Sequence, residues 1–256
     1  MATEPLSEGH FAAKQLFSKS GLIRWSHRRR FETAVRKSAG FGGRRVLDFG
    51  CGDATYFLLL LETPEAPAEA VGAEIDPRVV NRNRERFAAR PQVAFIAQED
   101  LEAPSWKNHF DAVVCMEVFE HVCEPDRYLD LIHAVLRPGG RLLLSVPVET
   151  GLTLLLKQMV RRVAGWRRIG EYQYTLAYTW GELLRGVFAG RRQHIPRVTH
   201  RTLEGMPFHC HKGFNWRTLQ ERIERRFTVD RISVSPVSWL PPGVSSQVWF
   251  EARKAE

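Results

Sequence analysis

Apolar residues in this chain fall into short runs that stop at an acid or a glycine. The run 46–49 contains Asp48 and is followed at once by Gly50 and Gly52. Runs 71–75, 93–97 and 110–115 repeat the form, and 136–147 ends in L-L-L-S-V-P. Runs this short, rich in Val, Leu, Ile and Phe and bounded by turn residues, predict strands. Stretches of helical character separate them: 55–61, the segment opening at Asp76-Pro77, the segment after Val122, and 216–226. Two late runs, 228–234 and 247–252, predict a closing pair of strands. Before the first strand, residues 11–39 read as two helices, the second carrying W-S-H-R-R-R-F. Strands alternating with helices predict an α/β fold with a largely parallel sheet.

The first strand ends in a turn built to meet a ligand. Gly50 and Gly52 permit positive φ and an approach of backbone to ligand that a Cβ would block. The free N–H groups of the helix beginning at Thr55 point back at that turn. A nicotinamide-type fingerprint would place a third glycine at position 55 and has no use for an acid at Asp48, so that reading weakens. Glu74 ends the second strand about 20 residues further on, where a doubly wound fold accepts hydrogen bonds from ribose hydroxyls. Asp76, beside Pro77, is better placed to start the next helix.

Asp48, Gly50 and Gly52 resemble the first motif of the class I S-adenosylmethionine-dependent methyltransferases, which runs acid, any residue, Gly, any residue, Gly. Ala54 departs from a further glycine common there, and Glu74 stands where Asp is usual. The resemblance places an acid against the adenine amino group after the third strand, and Asp100 is preferred over Glu99. C-M-E-V-F-E-H-V, 115–122, with L-R-P-G-G, 136–140, resembles the branch containing ubiquinone-biosynthesis O-methyltransferases and many small-molecule methyltransferases. It implies that Met116 contacts the cofactor near its adenine and that Gly139 and Gly140 turn the chain into the fifth strand. The similarity covers roughly residues 44–148 as several ordered motifs. It implies S-adenosylmethionine as cofactor and a Rossmann-like seven-stranded sheet of order 3-2-1-4-5-7-6, with 228–234 and 247–252 as its antiparallel hairpin. In relatives an N-terminal helix lies across the cofactor, which makes Arg30, with Arg24 behind it, the candidate for the methionine carboxylate. His121 reads as a packed or helix-capping histidine.

Composition places the chain among soluble enzymes. Its 256 residues with 44% hydrophobic content support one α/β domain with an elaboration. No apolar run approaches the ~20 residues that cross a bilayer. The four cysteines lack a zinc spacing and suit a reducing compartment. A cytoplasmic location is expected. Charge is unevenly placed: residues 151–213 hold 11 of the 37 basic and 3 of the 29 acidic side chains, so the net +8 falls in that segment. The chain divides accordingly into N-terminal helices over the cofactor site (1–40), a methyltransferase core (41–150 and 214–256) and a basic lid insertion for substrate recognition (151–213).

Within the insertion, 152–168 projects as an amphipathic helix, with Leu152, Leu155, Leu156, Met159, Val160, Val163 and Trp166 on one arc and Lys157, Arg161 and Arg168 opposite. Two readings stand: a surface helix packing its apolar arc on the core, or a helix that meets an anionic membrane or an amphiphilic substrate. Tyr172, Tyr174, Tyr178, Trp180, Phe188 and Phe208 could wall a substrate pocket or form the insertion's own small core. H-C-H-K-G-F, 209–214, leads back into the core, and His209 and His211 are alternative general bases for an acceptor hydroxyl or ammonium. As a metal pair they lack an evident third ligand, so no metal site is expected. The expected function is methyl transfer to a small-molecule or amphiphilic acceptor, to oxygen rather than nitrogen. Two rivals stay open. A nucleic-acid methyltransferase would use the basic insertion, but amino-methylating relatives place an Asn or Asp, Pro, Pro, aromatic motif where this chain has Met116-Glu117-Val118-Phe119. A non-catalytic cofactor-binding or membrane-interaction protein is the other.

Overall fold

The computed structural model describes residues 16–17, 21–166, 178–201 and 205–256. Four strands, β1 (Arg45–Phe49), β2 (Glu69–Glu74), β3 (Val93–Ala97) and β4 (Phe110–Met116), lie parallel, joined by crossovers. β5 (Leu136–Pro147) continues the parallel set beside β4. The chain then leaves the sheet, forms a short antiparallel pair, β6 (Thr199–Arg201) with β7 (Pro207–His209), and returns to add β8 (Thr228–Ser235) and β9 (Gln247–Arg253) antiparallel at the edge. The seven-stranded order is β3-β2-β1-β4-β5-β9-β8. With the small pair left out of the count, this is the 3-2-1-4-5-7-6 order that the resemblance implied.

Strand alternation sorts the core into two layers, because successive side chains point to opposite faces. Leu47, Phe49, Val113, Cys115, Leu142, Leu144, Val248 and Phe250 face one way, against helices Pro125–Val135 and Trp216–Glu224. Val46, Ala112, Val114, Leu143 and Trp249 face the other, against helices Gly21–Lys37, Thr55–Leu60 and Pro77–Arg86. Burial on both faces explains why these strands are continuous apolar runs rather than alternating ones. Asp76 caps the Pro77–Arg86 helix by accepting the Arg78 N–H at 2.9 Å, the role its place before a proline suggested. The first of the two N-terminal helices expected over 11–39 lies outside the described residues.

The insertion is seated differently from the reading that packs its apolar arc on the core. Helix Gly151–Trp166 turns Thr153, Leu154, Lys157 and Arg161 toward the protein and leaves Leu152, Leu155, Leu156, Met159 and Val160 exposed. The cause is Glu149, buried just beyond β5, which draws Lys157 Nζ to 2.9 Å and Arg161 Nη2 to 3.1 Å. The expectation that the apolar arc packs on the core is therefore corrected, and so is the assignment of Lys157 and Arg161 to a solvent or membrane face. A buried carboxylate without cations would be prohibitively costly, so the ion pairs dictate which side of the helix faces in. Val163 and Trp166, as side chains, and Arg168, Tyr172 and Tyr174 lie outside what the structure describes. A second helix, Trp180–Val187, begins at a capping box between Thr179 and Glu182 and crosses the first closely at Gly186, where a Cβ would meet Leu154 at 2.5 Å. Trp180 and Phe188 point outward, so neither walls a pocket.

Candidate functional site

The carboxyl ends of β1 to β4 converge at one edge of the sheet, the place where open α/β folds bind ligands. At β1 the chain turns through three left-handed residues, Gly50 (φ 74°), Gly52 (φ 53°) and Ala54 (φ 55°). A Cβ on Gly50 would stand 2.4 Å from Val118, so only glycine lets this loop lie against the segment that follows β4. Ala54 adopts a conformation ordinarily left to glycine, at a cost of roughly 1–2 kcal/mol. The loop is pinned from outside: Asn83 Nδ2 donates to Gly52 O at 2.7 Å, Arg86 to Asp53 O at 2.6 Å, and Thr55 Oγ1 to Asp53 Oδ1 at 2.6 Å.

Glu74, at the end of β2, accepts the Gly52 N–H at 2.9 Å and the Ile75 N–H at 2.7 Å, tying the glycine loop to the second strand. Each of its oxygens keeps a lone pair for ribose hydroxyls. Asp48 is buried, and its Oδ2 has no hydrogen-bond partner. Burial first, then the charges of Glu74 and Asp53, push its carboxyl up to about 8. Asp100, exposed in the 3-10 turn Gln98–Glu102, accepts the Ala97 N–H at 3.2 Å, and Glu99 beside it is exposed too. Met116 is half-buried at the end of β4. Arg30 reaches the same edge from helix Gly21–Lys37, but its recorded ion-pair partner is Glu117, with Nη1 3.7 Å from Oε2. Glu117 itself is left-handed (φ 56°), a strained backbone directly after the strand, and its N–H donates to Ser145 O at 2.9 Å. Asp48, Gly50, Gly52, Glu74, Asp100, Met116 and Arg30 thus stand at one end of the sheet.

A second group follows β4 and lies under the insertion. Glu120 is fully buried, and neither carboxylate oxygen has a hydrogen-bond partner in another of the described residues. Burial, reinforced by Glu117, raises its pKa well above the ordinary carboxylate range, with Arg30 and Arg197 opposing. His121 Nε2 lies 3.8 Å from Glu120 Oε1, and its Nδ1 lies 2.9 Å from the His209 carbonyl. A carbonyl only accepts, so Nδ1 carries the proton and Nε2 presents a lone pair. His211 stands edge-on to His121, ring centroids 4.9 Å apart, with a buried Nδ1 that has no partner. Burial and then His121 lower its pKa to about 4, so it is neutral at neutral pH. Glu149, close enough to stabilise positive charge on His211, also faces Tyr178, whose hydroxyl is pushed up to about 12, chiefly by burial. Native structures rarely leave buried polar atoms unpaired, and Asp48 Oδ2 and His211 Nδ1 have no hydrogen-bond partner among the described residues.

The two candidate bases separate. His211 joins His121 and Glu120. The His209 ring Nδ1 bonds the Val198 carbonyl at 3.1 Å, and the residue lines a different cleft, about 260 Å³, with Val122, Cys123, Arg197, Phe214 and Arg222. His121, read from sequence as packed or capping, belongs to the site instead. His211 also finds the further ligand atoms that its pairing with His209 lacked: Glu120, His121 and His211 each offer one, all within 4.8 Å of one another. Two features of sequence could have revealed this group. E-V-F-E-H sets two acids and a histidine directly after an apolar strand, and Glu149 interrupts the apolar stretch that ends β5.

Comparison with known proteins agrees with the fold. A family profile described as a methyltransferase domain matches residues 18–206. A ubiquinone biosynthesis O-methyltransferase of Cereibacter sphaeroides is 37% identical over 162 residues, 60% of this chain and 62% of that protein. The chain thus aligns with somewhat under two thirds of that relative's length. One of the same name from Idiomarina loihiensis is 30% identical over 179 residues, 68% of this chain and 70% of the relative. Among solved structures, the N-methyltransferase NodS of Bradyrhizobium japonicum in complex with S-adenosyl-L-homocysteine superposes with a TM-score of 0.54 at 16% identity, covering 90% of this chain and 88% of that one.

Proposed function

The chain belongs to the methyltransferase domain family, and from that premise we propose that it transfers the methyl group of S-adenosylmethionine to oxygen of a small-molecule or amphiphilic acceptor. The cofactor supplies an electrophilic methyl on a positively charged sulfur. The residues at the sheet edge suit it: Glu74 for the ribose hydroxyls, Asp100 for the adenine amino group, Met116 beside the adenine, and the Gly50–Gly52 turn for close approach. Arg30 would have to exchange its Glu117 contact for the methionine carboxylate.

The observation that carries oxygen over nitrogen is the buried Glu120 grouped with His121 and His211 beside the end of β4. A hydroxyl acceptor must lose its proton as its oxygen bonds to the methyl carbon and the carbon–sulfur bond breaks, whereas a neutral amine attacks with its lone pair. The lone pair on His121 Nε2, or the neutral ring of His211, takes that proton. Where His211 takes the proton, Glu149 favours the resulting imidazolium. Holding acceptor and methyl in line supplies much of the rate.

Incubating the protein with methyl-labelled cofactor and fractionated cell extract, then following label by mass spectrometry, tests the reading. Label on a hydroxyl of a small or lipid-linked molecule is expected. Label on nucleic acid, or none despite cofactor binding, would overturn it. Glu74→Ala is expected to weaken cofactor binding by roughly 10- to 100-fold through loss of charge-assisted hydrogen bonds, with Glu74→Asp retaining most affinity. Calorimetry showing unchanged affinity in a folded Glu74→Ala protein would remove Glu74 from the ribose site.

The same group supports a second reading of the proton-transfer step. A divalent cation on Glu120, His121 and His211 would bind the acceptor oxygen and lower its pKa. Turnover abolished by chelation and restored by added metal would favour the cation. Turnover indifferent to chelation would leave the imidazoles as bases.

A further inference from the structure

The insertion presents an unusual surface. Three elements packed side by side expose large apolar side chains: Leu152, Leu156 and Met159 (67% exposed) on helix Gly151–Trp166, Trp180 (82%), Leu184 and Phe188 (78%) on or just after helix Trp180–Val187, and Trp239 (80%) in the loop ahead of Pro242–Val244. They are held together. Gly186 lets the two helices approach closely, and Thr153 Oγ1 donates to Gly243 O at 2.9 Å and Ser245 O at 3.1 Å, fixing the loop to the first helix. Single exposed apolar residues are ordinary, but three adjoining elements each aiming tryptophan, phenylalanine, methionine or leucine outward are not.

The polar side of helix Gly151–Trp166 explains why the apolar arc is free. Lys157 and Arg161 are committed to buried Glu149, so the helix cannot roll over to bury its leucines without stranding that carboxylate. Charge identifies the occupant. In the described part of 151–213 there are nine Lys or Arg and one acid, Glu182, and Glu182 is paired with Lys212 at 2.9 Å. Arg162, Arg185 and Arg192 are exposed and have no ion pair among the described residues. An apolar, tryptophan-bearing face with arginines at hand and no free acid among the described residues of the insertion matches the interface of an anionic bilayer: the rings and aliphatic chains enter the acyl boundary, and the guanidiniums meet the headgroup phosphates.

We propose that this face, formed jointly by the two insertion helices and the Trp239 loop, seats the protein on an anionic membrane surface. The inference deepens the proposed function and rests on it only for the amphiphilic acceptor, which a protein on the membrane would receive from the lipid phase.

Co-sedimentation of the full chain with phosphatidylcholine vesicles, and with vesicles containing phosphatidylglycerol as well, tests it. Binding to the anionic vesicles, weakened by salt that screens charge over about 10 Å at 0.1 M, is expected. A Met159→Glu, Phe188→Glu variant should lose roughly tenfold or more in partitioning, because each side chain withdrawn from the acyl boundary forfeits its burial. An Arg162→Glu, Arg185→Glu variant should lose the anionic preference while its helices stay folded by circular dichroism. Failure of the wild type to bind anionic vesicles, or equal binding by wild type and the Met159→Glu, Phe188→Glu variant, would overturn the proposal. So would light scattering that shows a dimer abolished by the same substitutions, which would give the face to a second copy. Calorimetry with S-adenosylmethionine on the same samples keeps the two readings apart: vesicle binding lost with cofactor binding intact counts against the membrane face alone.

Discussion

Replacing His121 or His211 by Gln is expected to lower single-turnover methyl transfer by roughly 10²- to 10⁴-fold while leaving cofactor affinity within about twofold. The two rings stand edge to face beside Glu120, and each offers a nitrogen without a hydrogen bond among the described residues. His209→Gln should leave the rate nearly unchanged, because that ring is bonded to Val198 O and lines the other cleft; only its backbone carbonyl serves His121. Comparable losses in the His209 variant would overturn the assignment. Because burial holds His211 near pKa 4, below the ordinary histidine value of 6.5, it remains an unprotonated base well below neutrality. A rate limb set by His211 falls near pH 4, not between 6 and 7. Stability follows the same linkage: between these two values the unfolded chain binds the proton and the folded one does not, so the His211 contribution is lost as pH falls from about 6.5 to about 4. In His211→Gln that part of the acid destabilisation should vanish.

Glu149→Gln is expected to destabilise the protein by roughly 3 kcal/mol, the lower end for breaking a buried ion pair, since Lys157 and Arg161 keep some contact with water. The two cations would then face each other without the carboxylate that joins them, and helix Gly151–Trp166 would loosen first. Burial alone would raise the Glu149 pKa; the charges of Lys157 and Arg161 outweigh it and leave the carboxyl below its ordinary value. Its stabilisation is therefore present above about pH 4.5 and is lost as pH falls through the lower folded value. Urea denaturation of Glu149→Gln, and of the same change combined with Lys157→Met and Arg161→Met, measures this. The combined variant should recover most of the loss. A single variant as stable as the wild type would mean that the ion pairs do not orient the helix.

The β-strands, their order and the glycine turn were legible in the chain because each rests on local chemistry. Strands buried on both faces must be apolar throughout, a tight turn at positive φ favours glycine at Gly50, and an acid at a strand end such as Glu74 can tie that turn down. Such constraints are written over a few consecutive residues, so motif order and spacing suffice to read them. Arg30 could be brought to the right helix, but its contact with Glu117 depends on where two distant segments meet.

The insertion shows the opposite case. Its amphipathic period was plain, yet periodicity defines two faces without saying which turns inward. One buried carboxylate eight residues before Lys157 reversed the usual outcome, because leaving Glu149 uncompensated would cost more than exposing five apolar side chains. The grouping of Glu120 and His121 with His211, about ninety residues later, is likewise a product of tertiary folding: the fall of the chain from β7 back onto the end of β4 brings them together, and it parts His211 from His209 only two residues away. By itself the sequence determined the sheet and the glycine turn at its edge, where the physics is local. Only the tertiary structure decided the seating of the insertion and the grouping of Glu120, His121 and His211, where burial and long-range charge choose among faces that the sequence leaves equivalent.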